Sequence, residues 1–318
     1  MSPPGPALPV ALSVVIVNFN TGRLLGECLA SVRRFAGDVD LEVLVVDNAS
    51  TDGSMGVLRE HPEVQGLRNA ANVGFARAVN QALAVAKGRF VLLLNPDTRI
   101  ESPVFRQLLA FAEAHPSAGI VGPRLVNPDG TLQTSSYRFP TLVQAAGTIL
   151  GLKRLVPVTW LRARAGRWLG RWFGQLDAHR TPRQVDLVTG ACMLVRRQVL
   201  DAIGGLDPRF FLYFEEKDYC LRARRAGFGT YFDPSAEVVH VIGGSSRSDP
   251  GITVVERCRS MRQYHDKHGG AVTRLVLRGL FLGGGAFRLA GVLLVGDRRA
   301  ARAWREVVGF AFRRRVDR

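Results

Sequence analysis

Two common nucleotide-binding signatures are missing from this 318-residue chain: no G-x-G-x-x-G follows the first apolar run, and no G-x-x-x-x-G-K-[ST] occurs. A dinucleotide cofactor and a P-loop nucleotide are therefore not indicated. Cysteine is scarce and scattered. Cys28, Cys192, Cys220 and Cys258 form no C-x-x-C pair, which argues against a zinc site, an iron–sulfur cluster or a disulfide framework and fits a reducing compartment. No run of 18 consecutive apolar residues occurs, so a spanning helix is not expected. The first residues, MSPPGPALPVALSVVIV, lack a basic leader and read as a disordered lead over 1–10 that runs into a strand. No internal repeat is evident.

What the chain does have is apolar residues and arginine. At 47% hydrophobic it can bury a large core. The net charge of +16 is uneven: residues 152–183 hold eight basic against one acidic residue, residues 251–318 hold fifteen against five, and the remainder nearly balances. Such segments attract anionic membranes, nucleic acid or phosphorylated substrates. An arginine-rich solvated face is the plainer alternative.

The first 120 residues alternate short apolar runs with amphipathic helices. LSVVIV (12–17), LEVLVV (41–46) and RFVLLL (89–94) lack polar alternation, as buried parallel strands covered on both faces do. One helix between them carries Leu24, Leu25, Cys28, Leu29 and Val32 on one face, capped by Asn20 or Thr21. Another carries Phe75, Val79, Leu83 and Ala86, with Gly88 as its stop. Each strand ends in a polar cluster (NFN, DNAS, NPDT). Ligands of open parallel sheets bind beyond the carboxyl ends of the strands, so the three clusters are expected to meet. After Pro140 the pattern loosens into a basic, tryptophan-bearing insertion, 141–183. A strand and helix (185–197), a Gly/aromatic loop (204–214), a short helix (215–227) and an apolar strand (236–242) follow, then a basic helical extension, 251–318. The extension suits helices lying in a membrane interface or packing on the preceding domain.

Asp97, directly after the third strand, is placed to share a divalent cation with two phosphates, although an Asp there also caps helices and shapes turns. Asp47 carries the same ambiguity and can accept hydrogen bonds from a base or ribose. In FLYFEEKDYCLR, Glu215 and Glu216 gain from a helix dipole, and Asp218 and Arg222 suit an i, i+4 ion pair. An aromatic-lined pocket also raises a carboxylate pKa, which suits a general base taking a proton from a sugar hydroxyl. His240 ends an apolar strand before glycines and serines. It is either an ordinary hydrogen-bonded histidine or a ligand for a metal such as Mn²⁺.

Taken in order, SVVIVNFN (13–20), VVDNASTDGS (45–54), NAANVGFARAVNQA (69–82), LLLNPDT (92–98), TGACMLVRR (189–197), GGLDPRFFLYFEEKDYCLR (204–222) and HVIGGSS (240–246) resemble a family-2 inverting glycosyltransferase, in its bacterial rhamnosyltransferase-like branch. The resemblance implies a GT-A fold: a Rossmann-like mixed α/β sheet flanked by helices over residues 11–250. It makes Asp97 the second acid of the family's D-x-D motif, with Asn95 in place of the first, and leaves Asp97 and His240 as ligands of Mn²⁺ or Mg²⁺. Asp47 and Asn48, with the backbone of Val17 and Asn18, match residues at the donor nucleoside. Asn72 and Gly74 match the loop approaching base and sugar, and Thr189 and Gly190 the acceptor floor. Glu216 matches the catalytic base, with Glu215 its rival.

The donor so implied is dTDP-L-rhamnose, with a UDP-hexose or UDP-galactofuranose as the alternative. The implied acceptor is a polyprenyl-diphosphate-linked saccharide or a polysaccharide. The basic segments agree with an anionic membrane surface, and hence with a cytoplasmic protein held peripherally at the inner face of the cell membrane. A nucleic-acid-binding protein is the reading from another class; Trp160, Trp168 and Trp172 among basic residues offer some support, but it leaves the acidic clusters without a purpose.

Overall fold

The computed structural model describes residues 10–151, 181–241 and 250–313. The N-terminal lead, most of the 141–183 insertion and the glycines and serines after His240 lie outside the described residues.

Twelve strands are described: β1 (Leu12–Asn18), β2 (Leu41–Asp47), β3 (Val64–Arg68), β4 (Phe90–Leu94), β5 (Thr98–Ile100), β6 (Ala118–Val126), β7 (Leu132–Gln133), β8 (Ser136–Tyr137), β9 (Arg183–Val185), β10 (Leu187–Val188), β11 (Cys192–Arg196) and β12 (Gly229–His240). Ten form one sheet with the path β3-β2-β1-β4-β11-β6-β12-β5, to which β7 and β9 add at β6 and β12. β3, β2, β1 and β4 run parallel; β11 enters antiparallel between β4 and β6. β8 and β10 form a separate two-stranded ribbon.

The helices are α1 (Gly22–Phe35), α2 (Ser54–Arg59), α3 (Phe75–Leu83), α4 (Val104–Ala114), α5 (Leu142–Ile149), α6 (Arg197–Ile203), α7 (Glu215–Arg225), α8 (Pro250–His268), α9 (Ala271–Leu294) and α10 (Arg298–Gly309). β1 shows why its sequence lacks alternation. Leu12, Val14 and Ile16 pack with α1 and α4 on one face, Val15 and Val17 with α3, α6 and α7 on the other. A third core joins α5, α8, α9 and α10 to Phe210 and Phe214. The mixed α/β sheet with helices on both faces and a helical C-terminus is as expected.

Several details differ. α3 stops at Leu83, so Gly88 does not end it. Gly88 instead lets the chain pass against β1, where it donates its N–H to Ser13 Oγ at 2.8 Å and a Cβ would run into the Ser13 backbone nitrogen. β12 begins at Gly229, seven residues before the apolar run, because Asp233 and Pro234 hide its first half. A register shift between Asp233 and Glu237 accommodates them. Gly122 and Pro123 similarly mask β6. The start of the 141–183 insertion forms α5, closed by a capping box of Thr141 and Gln144 and packed on α9. α9 has the length and composition of a membrane-crossing helix, which the lack of an uninterrupted apolar run did not foretell.

Gly88→Ala is expected to lower stability by about 1–3 kcal/mol, because a rigid backbone cannot move aside for the added methyl. Urea unfolding would measure it, and an unchanged midpoint would refute the close approach.

Candidate active site

Strand pairing brings the first polar clusters together. β1 and β2 end in register at Asn18 and Asp47. Asn18 Nδ2 donates to Asp47 Oδ1 at 2.8 Å and to Ser50 Oγ at 2.9 Å, and the Ser50 N–H donates to Asp47 Oδ2 at 3.1 Å. Asn48 Nδ2 donates to Asn72 Oδ1 at 2.8 Å, while Asn48 Oδ1 accepts from Asn69 Nδ2 and the Val73 N–H. Asn18, Asp47 and Asn48 are all buried, as is Val17. Their side chains thus shape the 48–52 and 69–74 loops, and Asn72 stands partly exposed at the rim.

Gly74, at φ +87°, is tight against the next segment. Its neighbour Phe75 donates its N–H to Phe211 O at 2.7 Å, and a Cβ on Gly74 would meet that same oxygen at 2.7 Å. The 204–214 loop is further tied to α3 by two hydrogen bonds between Leu206 and the Asn80 amide, and to α8 by Ser260 Oγ donating to Leu212 O at 2.8 Å. Tyr213 and Phe214 both take left-handed backbone conformations, φ +69° and +70°. Bulky residues avoid this region at a cost of about 1–3 kcal/mol each, so the surroundings must hold them there.

This turn delivers Glu215 and Glu216 to the head of α7. Glu215 is buried, and Glu216 stands over Gly190, where a Cβ would lie 3.7 Å from that of Glu216. Thr189 beside it donates its N–H to Ser135 O at 3.0 Å. Burial, reinforced by the Glu216 charge, pushes the Glu215 carboxyl up to about 8. Oε2 of each glutamate is buried without a hydrogen-bond partner, and Glu216 Oε1 pairs with Lys217, which lies over the Phe214 ring. Glu215 therefore keeps its proton near neutrality. Burial and the same Glu216 charge raise the nearby Tyr137.

Asn95 is bonded into this wall, its N–H donating to Ala191 O at 2.9 Å. Two residues on, Asp97 Oδ1 stands 3.4 Å from His240 Nε2. Gln133 Nε2 donates to His240 O at 2.6 Å and to Asn127 Oδ1 at 2.7 Å, which turns its Oε1 toward His240 Nδ1 at 2.9 Å. Nδ1 then carries a proton toward Gln133, and Nε2 is the nitrogen that faces Asp97. An aspartate oxygen and an imidazole nitrogen at this spacing suit two ligands of one divalent cation. Among the described residues no group of three His, Cys, Asp or Glu side chains gathers, so further ligands would have to come from the substrate or solvent.

Sequence reasoning missed Gln133 and Lys217. Gln133 lies on a two-residue strand with no pattern, and nothing in the local sequence marks Lys217 as the partner of Glu216. The Asp218–Arg222 pair is present at 2.8 Å but is part of something larger: buried Asp218 also binds Lys267 Nζ at 2.6 Å and His268 Nε2 at 2.7 Å on α8. Burial alone would raise this carboxyl, yet the bonds from His268, Lys267 and Arg222 hold it below the usual range.

A mixed sheet whose parallel half presents acidic and amide residues at its carboxyl edge is the GT-A arrangement, and the chain belongs to the family described as glycosyltransferase like family 2, whose sequence model matches residues 9–263. Its relatives narrow the branch. It is 31% identical over 284 residues, 84% of this chain and 89% of the relative, to the N-acetylglucosaminyl-diphospho-decaprenol L-rhamnosyltransferase of Mycobacterium tuberculosis. It is 23% identical to the dTDP-rhamnosyl transferase RfbF of Shigella flexneri, over 73% of this chain and 70% of that protein. Among solved structures, the mannosyltransferase PcManGT from Pyrobaculum calidifontis, in complex with GDP-Man and Mn²⁺, shares the fold with a TM-score of 0.54 at 18% identity, covering 97% of this chain and 82% of its own.

The raised Glu215 carboxyl has a consequence for stability. Folded protein keeps this proton up to about pH 8, whereas the unfolded chain releases it in the ordinary carboxylate range, so stability falls as pH rises through that window. Glu215→Gln is expected to melt above the native protein at about pH 9 and level with it at about pH 5. Scanning calorimetry showing a pH-independent difference would remove the shift.

Proposed function

We propose that the protein transfers L-rhamnose from dTDP-L-rhamnose to a hydroxyl of a polyprenyl-diphosphate-linked saccharide or cell-envelope polysaccharide, inverting the anomeric centre, at the cytoplasmic face of the membrane. The observation that carries the chemistry is the Asp97–His240 pair, 3.4 Å apart at the sheet edge that also bears Asn95 and Ala191, with Glu216 over Gly190 beside them. The two relatives named for rhamnosyl transfer support the choice of sugar, and the decaprenol-linked relative supports the choice of acceptor class.

In this reading Glu216 accepts the acceptor proton as the acceptor oxygen bonds to the anomeric carbon. The bond from that carbon to the donor diphosphate breaks, and its electron pair leaves with dTDP. Asp97 and His240 would hold a Mn²⁺ or Mg²⁺ ion, which when bound would neutralise charge on the leaving diphosphate. Glu215, kept protonated, limits the charge beside the base. Asn48 and Asn72 shape the loop that faces the donor nucleoside, and Asp47 and Asn18 brace it through β1 and β2. Thr189 and Gly190 form the floor on which the acceptor rests.

Glu216→Gln is expected to lower kcat for rhamnosyl transfer by about 10²–10⁴-fold with donor affinity nearly unchanged. Turnover close to native would move the base elsewhere, with Glu215 the first candidate. Asp97→Ala is expected to abolish the Mn²⁺-dependent part of dTDP binding in calorimetry; equal affinity with and without the ion in both proteins would end the metal role. A donor panel of dTDP-rhamnose, UDP-hexoses and UDP-galactofuranose tests the sugar, and faster turnover of a UDP donor would overturn dTDP-rhamnose.

A further inference from the structure

α9 presents two unlike faces. Its inner face packs into the third core: Leu277 and Phe281 are fully buried, Gly284 lies against Ile149 of α5, and Gly285 against Val308 of α10. Phe281 meets Phe310 edge-on at 6.0 Å, and the Arg288 guanidinium lies over the Trp304 ring. The outer face follows the helical repeat through residues 272, 275, 276, 279, 282, 283, 286, 287, 290, 293 and 294, and carries no charged or polar side chain along its whole length. Leu275 is 71% exposed, Phe287 68% and Leu294 89%. At 24 residues this makes an uncovered apolar ridge of about 36 Å. A soluble protein rarely leaves so long a stripe in water.

Exposed basic groups lie on the same helix and on the one that follows it. Arg274 and Arg278 are exposed on α9, and Arg298, Arg302 and Arg305 share one exposed face of α10 at i, i+4 and i+7. The segment 251–318 holds fifteen basic residues against five acidic.

We infer that the outer face of α9 lies in the plane of an anionic phospholipid bilayer, with its side chains in the acyl boundary and the arginines among the headgroups. This rests on the reading of a membrane-held acceptor and names the surface that would meet that membrane. Charge decides the occupant. An anionic bilayer complements the arginines, whereas a second copy of the chain would set like charge against like. Packing decides the orientation. A spanning α9 would have to abandon Leu277 and Phe281 in the third core and carry Arg274, Arg278 and Arg288 into hydrocarbon. The same core holds Phe210 and Phe214, so the layer that rests on the lipid also supports the turn leading to Glu215 and Glu216.

The test is flotation of the full chain with phosphatidylcholine vesicles, with and without phosphatidylglycerol. The native protein is expected to float with the anionic vesicles. The double variant Leu275→Glu, Phe287→Glu is expected to lose partitioning by at least about tenfold, since two exposed apolar anchors are replaced by charge. The triple variant Arg298→Gln, Arg302→Gln, Arg305→Gln is expected to lose on the order of a hundredfold on anionic vesicles alone. All changed positions are exposed, and dTDP affinity is expected to stay native. Unchanged flotation of both variants would overturn the proposal. So would a native dimer, seen by sedimentation, that Leu275→Glu, Phe287→Glu dissociates while vesicle binding persists; Gly279 and Gly283 would then mark a helix-pairing face. Partitioning is read without any sugar transfer, so failure of the rhamnosyl reading would show in the donor panel and leave this measurement intact.

Discussion

Glu215 and Glu216 stand where they do because two aromatic residues occupy backbone conformations they would not choose alone. Tyr213 and Phe214, both left-handed, reverse the chain just ahead of α7. The turn is held from two sides: Phe75 and Asn80 of α3 bind the loop before it, and Ser260 of α8 binds Leu212 within it. Phe214 is at the same time part of the third core. The C-terminal helices are therefore part of what aims the carboxylates, and the Asp218–Lys267–His268 cluster fixes the next turn of α7 to the same support. Strain of a few kcal/mol in such a turn persists only where its surroundings over-determine it.

A second network works through polar groups. His240 at the end of β12 faces Asp97 after β4, and Gln133 on β7 orients the imidazole by binding both the ring and the backbone of the same histidine. Three segments distant in the chain thus converge on one pair of potential ligands. The donor side is built similarly, with Asn48 gathering the 69–74 loop onto the end of β2. Buried amides and carboxylates in these networks are stable because their hydrogen bonds are made within the protein.

Much of this is legible in the sequence. The strands over 12–17, 41–46 and 89–94 could be read because both of their faces are buried, so their apolar character is continuous. The carboxylates after them could be read because a polar cluster closing such a strand lies at the open edge of the sheet. β6 and the first half of β12 could not, since Gly122, Pro123, Asp233 and Pro234 interrupt the pattern and only pairing with neighbouring strands sustains them. Gly88 reads as a helix stop because its contact with Ser13 lies 75 residues away in sequence.

The sequence by itself determined the fold class, the order of the acidic clusters and the excess of arginine near the C-terminus, since each is written in local composition and spacing. Tertiary structure alone decided which carboxylate is buried and protonated, which nitrogen of His240 faces Asp97, and which side of α9 is left uncovered. Those properties depend on desolvation, hydrogen-bond partners and packing contributed by residues far along the chain, and no local pattern contains them.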